Sequence, residues 1–395
     1  MKLPLLLIPF CVSLAFGAAS IEERVFNREF PSIFQAWNPV DMPQYPLDTE
    51  QQRLVTAAKH DLLWEEPVSQ LGYGVKLVLG AVWDHENGGI ATQFTEETRE
   101  QALKNRTTMH EINPDMIFLM EIRWKDAPSS YLPEDSDWWK RDENGERIPG
   151  WLGGPEPYYY LNYHHEGFRE QVKLQARVAV ESGVYDGIML DWWGSHGESD
   201  PLAMSFLKGI REGIGEDGII VVNNDRMAPL PNTAPYVNGA FQENTFRFHN
   251  TPEKWQDTIH DLIWFETHFR EPRTNCYQIQ TGDIYSMRCG LAAALIFSDG
   301  YYLFSRDDNN NPAPDHLHHW FKEYDVKLGK PVDTFKKHEN GLYSRDYDHG
   351  TVVLNLMGNG EQTITFKKEM TRYDGREEGK TFVIPDRDGQ IYLKR

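Results

Sequence analysis

The sequence predicts an α/β chain: a (β/α)8 TIM barrel followed by a small C-terminal all-β domain. Three observations carry this. Eight short apolar segments alternate with helical patterns between residues 33 and 326, as in a barrel and not as in separate runs of strands and helices. No glycine-rich phosphate or dinucleotide loop follows the first segment, which argues against an open doubly wound sheet. From about Gly341 the helical patterns stop and short strands separated by turns take over.

Ile33 to Trp37 reads as the first strand, followed by a helix from about Asp48, its cap, to Leu63. Val75 to Trp83 reads as the second strand, and Thr95 to His110 as a helix with Glu96 and Glu97 in its first turn, where the macrodipole favours acids. Met116 to Ile122 is the third strand, and a long aromatic loop over 123–165 precedes a helix from Glu166 to Ser182. Gly187 to Asp191 is the fourth strand, with the next helix starting at Pro201 behind an Asp200 cap. Gly218 to Asn223 and Val237 to Gln242 are the fifth and sixth, with no clear helix between Arg226 and Tyr236. Pro252 to Arg270 is a long helix, Cys276 to Gln280 the seventh strand, Tyr285 to Phe297 a helix and Tyr301 to Ser305 the eighth strand. A helix from Asp315 to Val326 closes the series. The barrel is thus expected over 20–330, and a sandwich-like β domain over 331–395, with Pro331 to Asn340 as the linker.

The 395 residues suffice for a barrel of about 250 residues and an appendage. Met1 to Ser20 combine one basic residue, a short apolar stretch and a small-residue exit, so 1–19 reads as a cleaved signal peptide and the protein as exported, periplasmic or extracellular. Cys11 falls in that peptide. For Cys276 and Cys289, a disulfide and two buried thiols are equally open readings. The formal charge of −20, from 60 acidic and 40 basic residues, disfavours nucleic acid and anionic membranes as partners, and no segment after the first is apolar enough to insert in a membrane. Neither a CxxC nor an HExxH pattern occurs, so no metal or other cofactor is expected. The histidines of Asp315-His316-Leu317-His318-His319 are placed on the outer face of the last helix, and Asn105-Arg106-Thr107 is a formal glycosylation sequon.

In a barrel, the carboxyl ends of the strands converge on one face, where active sites lie. In this chain those ends supply Trp37, Trp83 and Asp84, Glu121 with Arg123, and Asp191 with Trp192 and Trp193. They further supply Asn223 and Asn224, Glu243, Gln278 and Gln280, and Arg306 with Asp307. Glycoside hydrolysis needs two carboxyl groups across the scissile bond, one ionised and one protonated. Asp191 and Glu243 are the candidates. Asp191 sits too far before Pro201 to cap that helix, and an inward Arg123 would keep it ionised as a nucleophile. Glu243 after an apolar strand suits a general acid and base, the structural alternative being an ion pair with Arg247. Glu121 is expected to pair with Arg123, and Asp84 and Asp307 could serve either structure or substrate. Trp37, Trp83, Trp192, Trp193, Asn223, Asn224 and Arg306 complete the expected substrate-binding set. Trp138, Trp139, Trp151 and Tyr159 in the aromatic loop offer faces on which sugar rings stack.

The chain resembles the glycoside hydrolases related to endo-α-1,4-polygalactosaminidases. The resemblance rests on Asp186 to Asp191, on Asn223-Asn224, on Gly239 to Glu243, on Arg141 to Gly145 with Asn162, and on a tail of Leu328 to Pro331, Tyr343 to Gly350 and Val352 to Asn355. It implies Asp191 as nucleophile and Glu243 as acid and base. Trp193 and the long aromatic loop depart from that pattern, so cleavage of polygalactosamine is not carried over. The expected function is a secreted retaining glycoside hydrolase acting on a poly- or oligosaccharide. The alternative is a non-catalytic carbohydrate-binding or surface-attachment protein on the same scaffold.

Overall fold

The computed structural model describes residues 19–37, 47–67, 77–153, 156–224, 228–243, 251–280, 283–305 and 316–395. Residues 1–18 of the expected signal peptide, and Arg306 and Asp307, lie outside them. Eight parallel strands follow in sequence order around one sheet: β1 (Phe34–Ala36), β2 (Leu62–Glu65), β3 (Ile117–Ile122), β4 (Gly187–Leu190), β5 (Ile219–Asn223), β6 (Gly239–Gln242), β7 (Cys276–Gln280) and β8 (Tyr301–Ser305). A parallel bridge from Ile33 to Tyr302 joins the first strand to the last. The result is a (β/α)8 barrel whose seams are buried on both sides, which is why its strands are apolar runs without polar alternation.

Alternate residues of these runs fill the barrel. Phe34, Leu62, Trp64, Ile117, Leu119, Met189, Ile219, Val221, Phe241, Cys276, Tyr301 and Leu303 form one interior cluster, and the residues between them face the helices in a second, larger cluster. Parity decides which face a residue takes, because strand side chains alternate.

The second strand differs from expectation. The helix ends early, as α2 (Glu50–Ala57), and Leu62–Glu65 forms the strand. Thr49, not Asp48, caps α2 through a capping box with Gln52. The apolar stretch expected as that strand is instead a loop from 77 to 83. The Glu65 carboxylate accepts the backbone N–H groups of Val78 (2.9 Å), Leu79 (3.2 Å) and Gly80 (3.2 Å), and Gly80 turns the chain at φ 82°. Asn105, the formal sequon residue, is buried in α3 (Glu96–Ile112), with its amide on the Leu79 carbonyl at 3.1 Å.

A short helix not expected from the sequence, α1 (Ile21–Asn27), opens the described chain on a capping box between Ser20 and Glu23. It lies at the amino end of the barrel: Val25 joins the interior cluster, and Arg24 pairs with Asp186 just before β4. The expected helices are present as α4 (Glu166–Glu181), α5 (Pro201–Ile214) capped by Asp200, α6 (Pro252–His268) and α7 (Ile284–Phe297). The expected closing helix is not formed: from 316 the chain runs extended to a single turn, Lys322–Asp325.

After the barrel, six antiparallel strands form a second sheet: β9 (Lys336–Lys337), β10 (Tyr343–Asp346), β11 (Gly350–Asn355), β12 (Gln362–Arg372), β13 (Glu378–Ile384) and β14 (Asp388–Lys394), in the order β9-β10-β11-β14-β12-β13. The two-residue β9 lies within the stretch expected as a linker. This sheet packs on α7, where a Cβ at Gly389 would come within 2.2 Å of the Arg288 carbonyl oxygen and Arg288 pairs with Asp388 at 2.8 Å. Cys276 and Cys289 are free, buried thiols, so the disulfide reading is corrected.

Candidate active site

The inward parity of the strands continues past their carboxyl ends, and there it turns from apolar to polar. Trp64 is followed on the same face by Glu66, Leu119 by Glu121 and Arg123, Met189 by Asp191, Val221 by Asn223, and Phe241 by Glu243. Cys276 is followed by Gln278 and Gln280, and Leu303 by Ser305. The barrel core is thus roofed by one layer of hydrogen-bonding groups.

Asn223 sits at the centre. Its Nδ2 donates to Asp191 Oδ1 at 2.7 Å and to Glu243 Oε2 at 2.9 Å. By the sum of those two bonds, the oxygens it joins lie no more than about 5.6 Å apart. Gln280 Nε2 donates to the other Glu243 oxygen at 3.3 Å, and the Glu243 side chain is 22% exposed. Asp191 offers its backbone carbonyl to the Trp124 indole at 2.6 Å.

Beside this pair lies a buried acid cluster. Arg123 pairs with Glu66 at 3.0 Å and with Glu121 at 3.1 Å, and Glu121 also accepts the Trp37 indole N–H. Burial pushes the Glu121 carboxyl up to about 8, against the lowering effect of Arg123 and with further raising by the charges of Glu66 and Asp191. The contact of Glu121 with Arg123 is as the sequence implies. The expected Arg123 contact to Asp191 is not made, because Arg123 is committed to the two glutamates.

Two tryptophans at strand ends have left-handed backbones, Trp37 at φ 52° and Trp192 at φ 55°. Such φ values are rare for bulky residues and concentrate at functional sites. Both rings are half-buried. Trp193 has a different place: fully buried, it packs 5.1 Å from Trp124 and donates to Thr233 Oγ1 at 2.8 Å. Of the two indoles after Asp191, Trp192 is therefore the one open to a ligand.

Three further expectations are corrected. Trp83 is on no barrel strand and is stacked, buried, on Phe94 at 4.4 Å. Asp84 is exposed beyond it. Asn224 has the outward parity, is 1% exposed and donates its amide to the Ala228 carbonyl at 2.8 Å, so it is turned away from the roof. In the aromatic loop Trp139 is buried with its N–H on the Pro133 carbonyl. Trp151 lies edge-on to Tyr158 at 5.2 Å, and Tyr158 in turn faces the Arg123 guanidinium at 5.5 Å. Trp151 is thereby tied to the acid cluster.

Glu66, Ser305 and His316 were not singled out from the sequence. Glu66 was hidden by the misplaced second strand. His316 was assigned to an outer helix face. It is instead 5% exposed, with Nε2 3.9 Å from Glu243 Oε1, Nδ1 3.1 Å from Gln278 Oε1 and its ring 4.6 Å from that of Trp37. Burial at 316, 318 and 320, alternating with partial exposure at 317 and 319, is a period of two, so the absence of a helical stripe was the available signal. Among the described residues no cluster of three or more His, Cys, Asp or Glu forms a metal site, and no helix is long and apolar enough to cross a membrane.

Residues 202–351 match the family model described as "Hypothetical glycosyl hydrolase family 15". The match covers less than half the chain, taking in Asn223 and Glu243 but not Asp191. No curated protein matches. Solved structures of similar fold include an α-amylase from Lactobacillus plantarum, with TM-score 0.59 and 10% identity over 95% of this chain and 100% of that one. A noncanonic maltogenic α-amylase, AmyB, from Thermotoga neapolitana has TM-score 0.56 and 12% identity over 92% and 99%. The trehalulose synthase MutB of Pseudomonas mesoacidophila has TM-score 0.55 and 12% identity over 92% and 98%. At these identities the likeness is one of fold: a barrel followed by a C-terminal β domain.

Proposed function

We propose that the protein is a retaining glycoside hydrolase of poly- or oligosaccharides, exported through a cleaved leader peptide over 1–19. The observation that carries the reading is the amide of Asn223 bonded to both Asp191 and Glu243. It holds two carboxylate oxygens within about 5.6 Å. Retaining enzymes keep their carboxyl groups about 5 to 5.5 Å apart, whereas inverting ones leave about 6.5 to 9.5 Å for a water. The matched glycosyl hydrolase model and the glycosidase fold support the same chemistry.

In the first step Asp191 attacks the anomeric carbon and Glu243 gives its proton to the departing glycosidic oxygen, leaving a glycosyl ester on Asp191. In the second, Glu243 takes a proton from water as that water displaces Asp191, and both side chains return to their starting states. Asn223 keeps one hydrogen on each carboxylate throughout, which orients both and spares them a search for geometry. Trp192 and Trp37 offer ring faces to the sugar, and Trp151 extends the cleft over the loop. The relation to the polygalactosaminidase-like enzymes rests on the shared sequence motifs, and the sugar is a separate question. A glycan-panel hydrolysis assay on the wild type, Asp191→Asn and Glu243→Gln tests the assignment. The wild type should cleave at least one glycan with retention of anomeric configuration, and each variant should lose that activity. Near-full activity in either variant removes that residue from its role.

A further inference from the structure

We propose that Asp126 is a positioning residue that fixes Trp151 as the platform for a second sugar ring, next to the one attacked at Asp191, so that the substrate is a chain and not a single glycoside. This rests on the reading of Asp191 and Glu243 as a glycosidase pair. Asp126 opens a short ribbon beyond β3, in which Asp126–Pro128 pairs with Tyr158–Tyr160. It is 3% exposed. One carboxylate oxygen, Oδ2, accepts the Trp151 backbone N–H at 2.8 Å, and the other has no hydrogen-bond partner among the described residues. Burying a carboxylate costs free energy that only good pairing returns. Beyond the charges of Arg123 and Lys125, Asp126 has this one hydrogen bond, so it stabilises the fold poorly; what it fixes is the backbone at Trp151. The approach is close enough to exclude a side chain at residue 150. A Cβ on Gly150 would lie 2.7 Å from Asp126 Oδ2 and 2.9 Å from its Cβ.

The ring is held as well as its backbone. Gly150 N donates to the Tyr158 carbonyl at 2.8 Å, which carries the chain up to Trp151 along the ribbon, and the indole then lies edge-on to the Tyr158 ring at 5.2 Å. It also covers Gly153, where a Cβ would come within 2.4 Å of the indole Cζ2. Burial raises the Asp126 carboxyl, Arg123 and the Trp151 N–H pull it down, and Asp191 is near enough for its charge to raise it again. The tether therefore sits at the edge of the catalytic roof. Contacts run from the indole through Tyr158 to the Arg123 guanidinium, 5.5 Å from that ring, and on to Glu121, so the sugar that Trp151 meets is a neighbour of the one at Asp191. Trp151 is half-buried and Leu152 beside it is 89% exposed. The turn thus presents an apolar tip to water on a polar anchor. Flat aromatic side chains suit the apolar faces of sugar rings, and a platform already fixed binds with less loss of freedom than a mobile one.

Tether and platform are tested separately. In the full-length protein labelled with 5-fluorotryptophan, the Trp151 fluorine NMR signal is the one missing from Trp151→Phe. Asp126→Ala should move or broaden that signal, and Asp126→Asn, which keeps an acceptor for the N–H, should restore it. Should Asp126→Ala not fold, Gly150→Ala, whose Cβ drives the carboxylate away, should give the same change. A signal that stays put in the variant used overturns the tether whether or not any glycan is cleaved. The platform is read from kinetics on the sugar that the panel assay shows to be cleaved, given as its p-nitrophenyl monoglycoside and as oligosaccharides of increasing length up to the hexasaccharide. In the wild type kcat/KM should rise with chain length. On the hexasaccharide, Asp126→Ala should raise KM about tenfold and leave kcat within about twofold. Trp151→Ala should do the same, and the double variant should lose no more than either single one, because Asp126 acts through Trp151. A loss that falls on kcat, additive losses, or a rate indifferent to chain length would overturn the platform. If no glycan is cleaved, the glycosidase reading fails and the platform with it, while the fluorine signal still decides whether Asp126 holds Trp151.

Discussion

The two ends of one strand carry an aspartate each, and the two are treated in opposite ways. Asp186, just before β4, is 4% exposed and is met by two cations, Arg24 from α1 at 3.0 Å and Arg106 from α3 at 2.6 Å, and by the Phe118 backbone N–H at 2.9 Å. Burial alone would raise its pKa, yet the charges of Arg106 and Arg24 outweigh it and hold the carboxyl below its usual value. Asp191, just after the same strand, is met by a neutral amide at 2.7 Å. A carboxylate saturated by guanidinium groups has nothing left to give a substrate. One held by an amide keeps its charge and its lone pairs. The amino end of the barrel therefore uses charge to hold α1 and α3 in place, whereas at the carboxyl end the Asp191 carboxylate meets the Asn223 amide and no cation among the described residues.

The sharpest way to break this contrast is to neutralise each aspartate. Asp191→Asn should leave the fold intact, with unfolding free energy within about 1 kcal/mol of wild type, while the hydrolysis rate falls by about 10⁴-fold or more. Denaturant unfolding and the glycan assay read the two quantities. Asp186→Ala should do the reverse in kind. It leaves Arg24 and Arg106 buried without their partner, which costs about 3 to 5 kcal/mol, so expression and melting temperature should fall sharply. Equal stability in both variants would mean that the two ends do not differ as described.

A smaller effect is expected at Asn223. Asn223→Ala frees both upper carboxylates from their shared donor without touching either, and a misplacement of about 1 Å is worth about 10²-fold in rate. On the proposed orienting role of the amide, the loss should fall on kcat with KM little changed. A loss confined to KM would make Asn223 a substrate ligand instead.

Much of this contrast was written in the strand parity. Met189 and Asp191, Val221 and Asn223, and Phe241 and Glu243 are each two residues apart, so a barrel interior that ends in hydrogen-bonding groups could be read from the sequence once the strands were placed. The same parity sends Asn224 outward. What failed was strand placement where propensity misleads. Leu62 to Glu65 continues a helical pattern, and its strand is defined by pairing with Phe34 to Ala36 and Ile117 to Met120, partners remote in sequence. The stretch before Trp83 looks like a strand but is held as a loop by a glutamate fifteen or fewer residues upstream. His316 was lost for a related reason: its burial depends on Trp37 and Gln278, which local pattern cannot show. The Ser20–Glu23 capping box, by contrast, was legible as S-x-x-E and marks α1.

The most gradual effect separates the two ends by pH. Glu121 in the upper cluster keeps its proton in the folded protein until about pH 8, whereas in the unfolded chain it titrates near pH 4.3, by about the usual value for glutamate. Between those values the folded state binds more protons, so this residue makes stability fall as pH rises, at a slope of at most about 1.4 kcal/mol per pH unit. Asp186 has the opposite sign. Its folded pKa is depressed, so its contribution is fully present above about pH 4 and is lost as pH falls below that, leaving no slope between 5 and 8. Glu121→Gln cannot titrate, and its urea-unfolding free energy should be flatter between pH 5 and 8 than that of the wild type, the difference growing with pH. Parallel curves would show that Glu121 is already ionised beside Arg123, and that the upper end, like the lower, is a set of closed ion pairs.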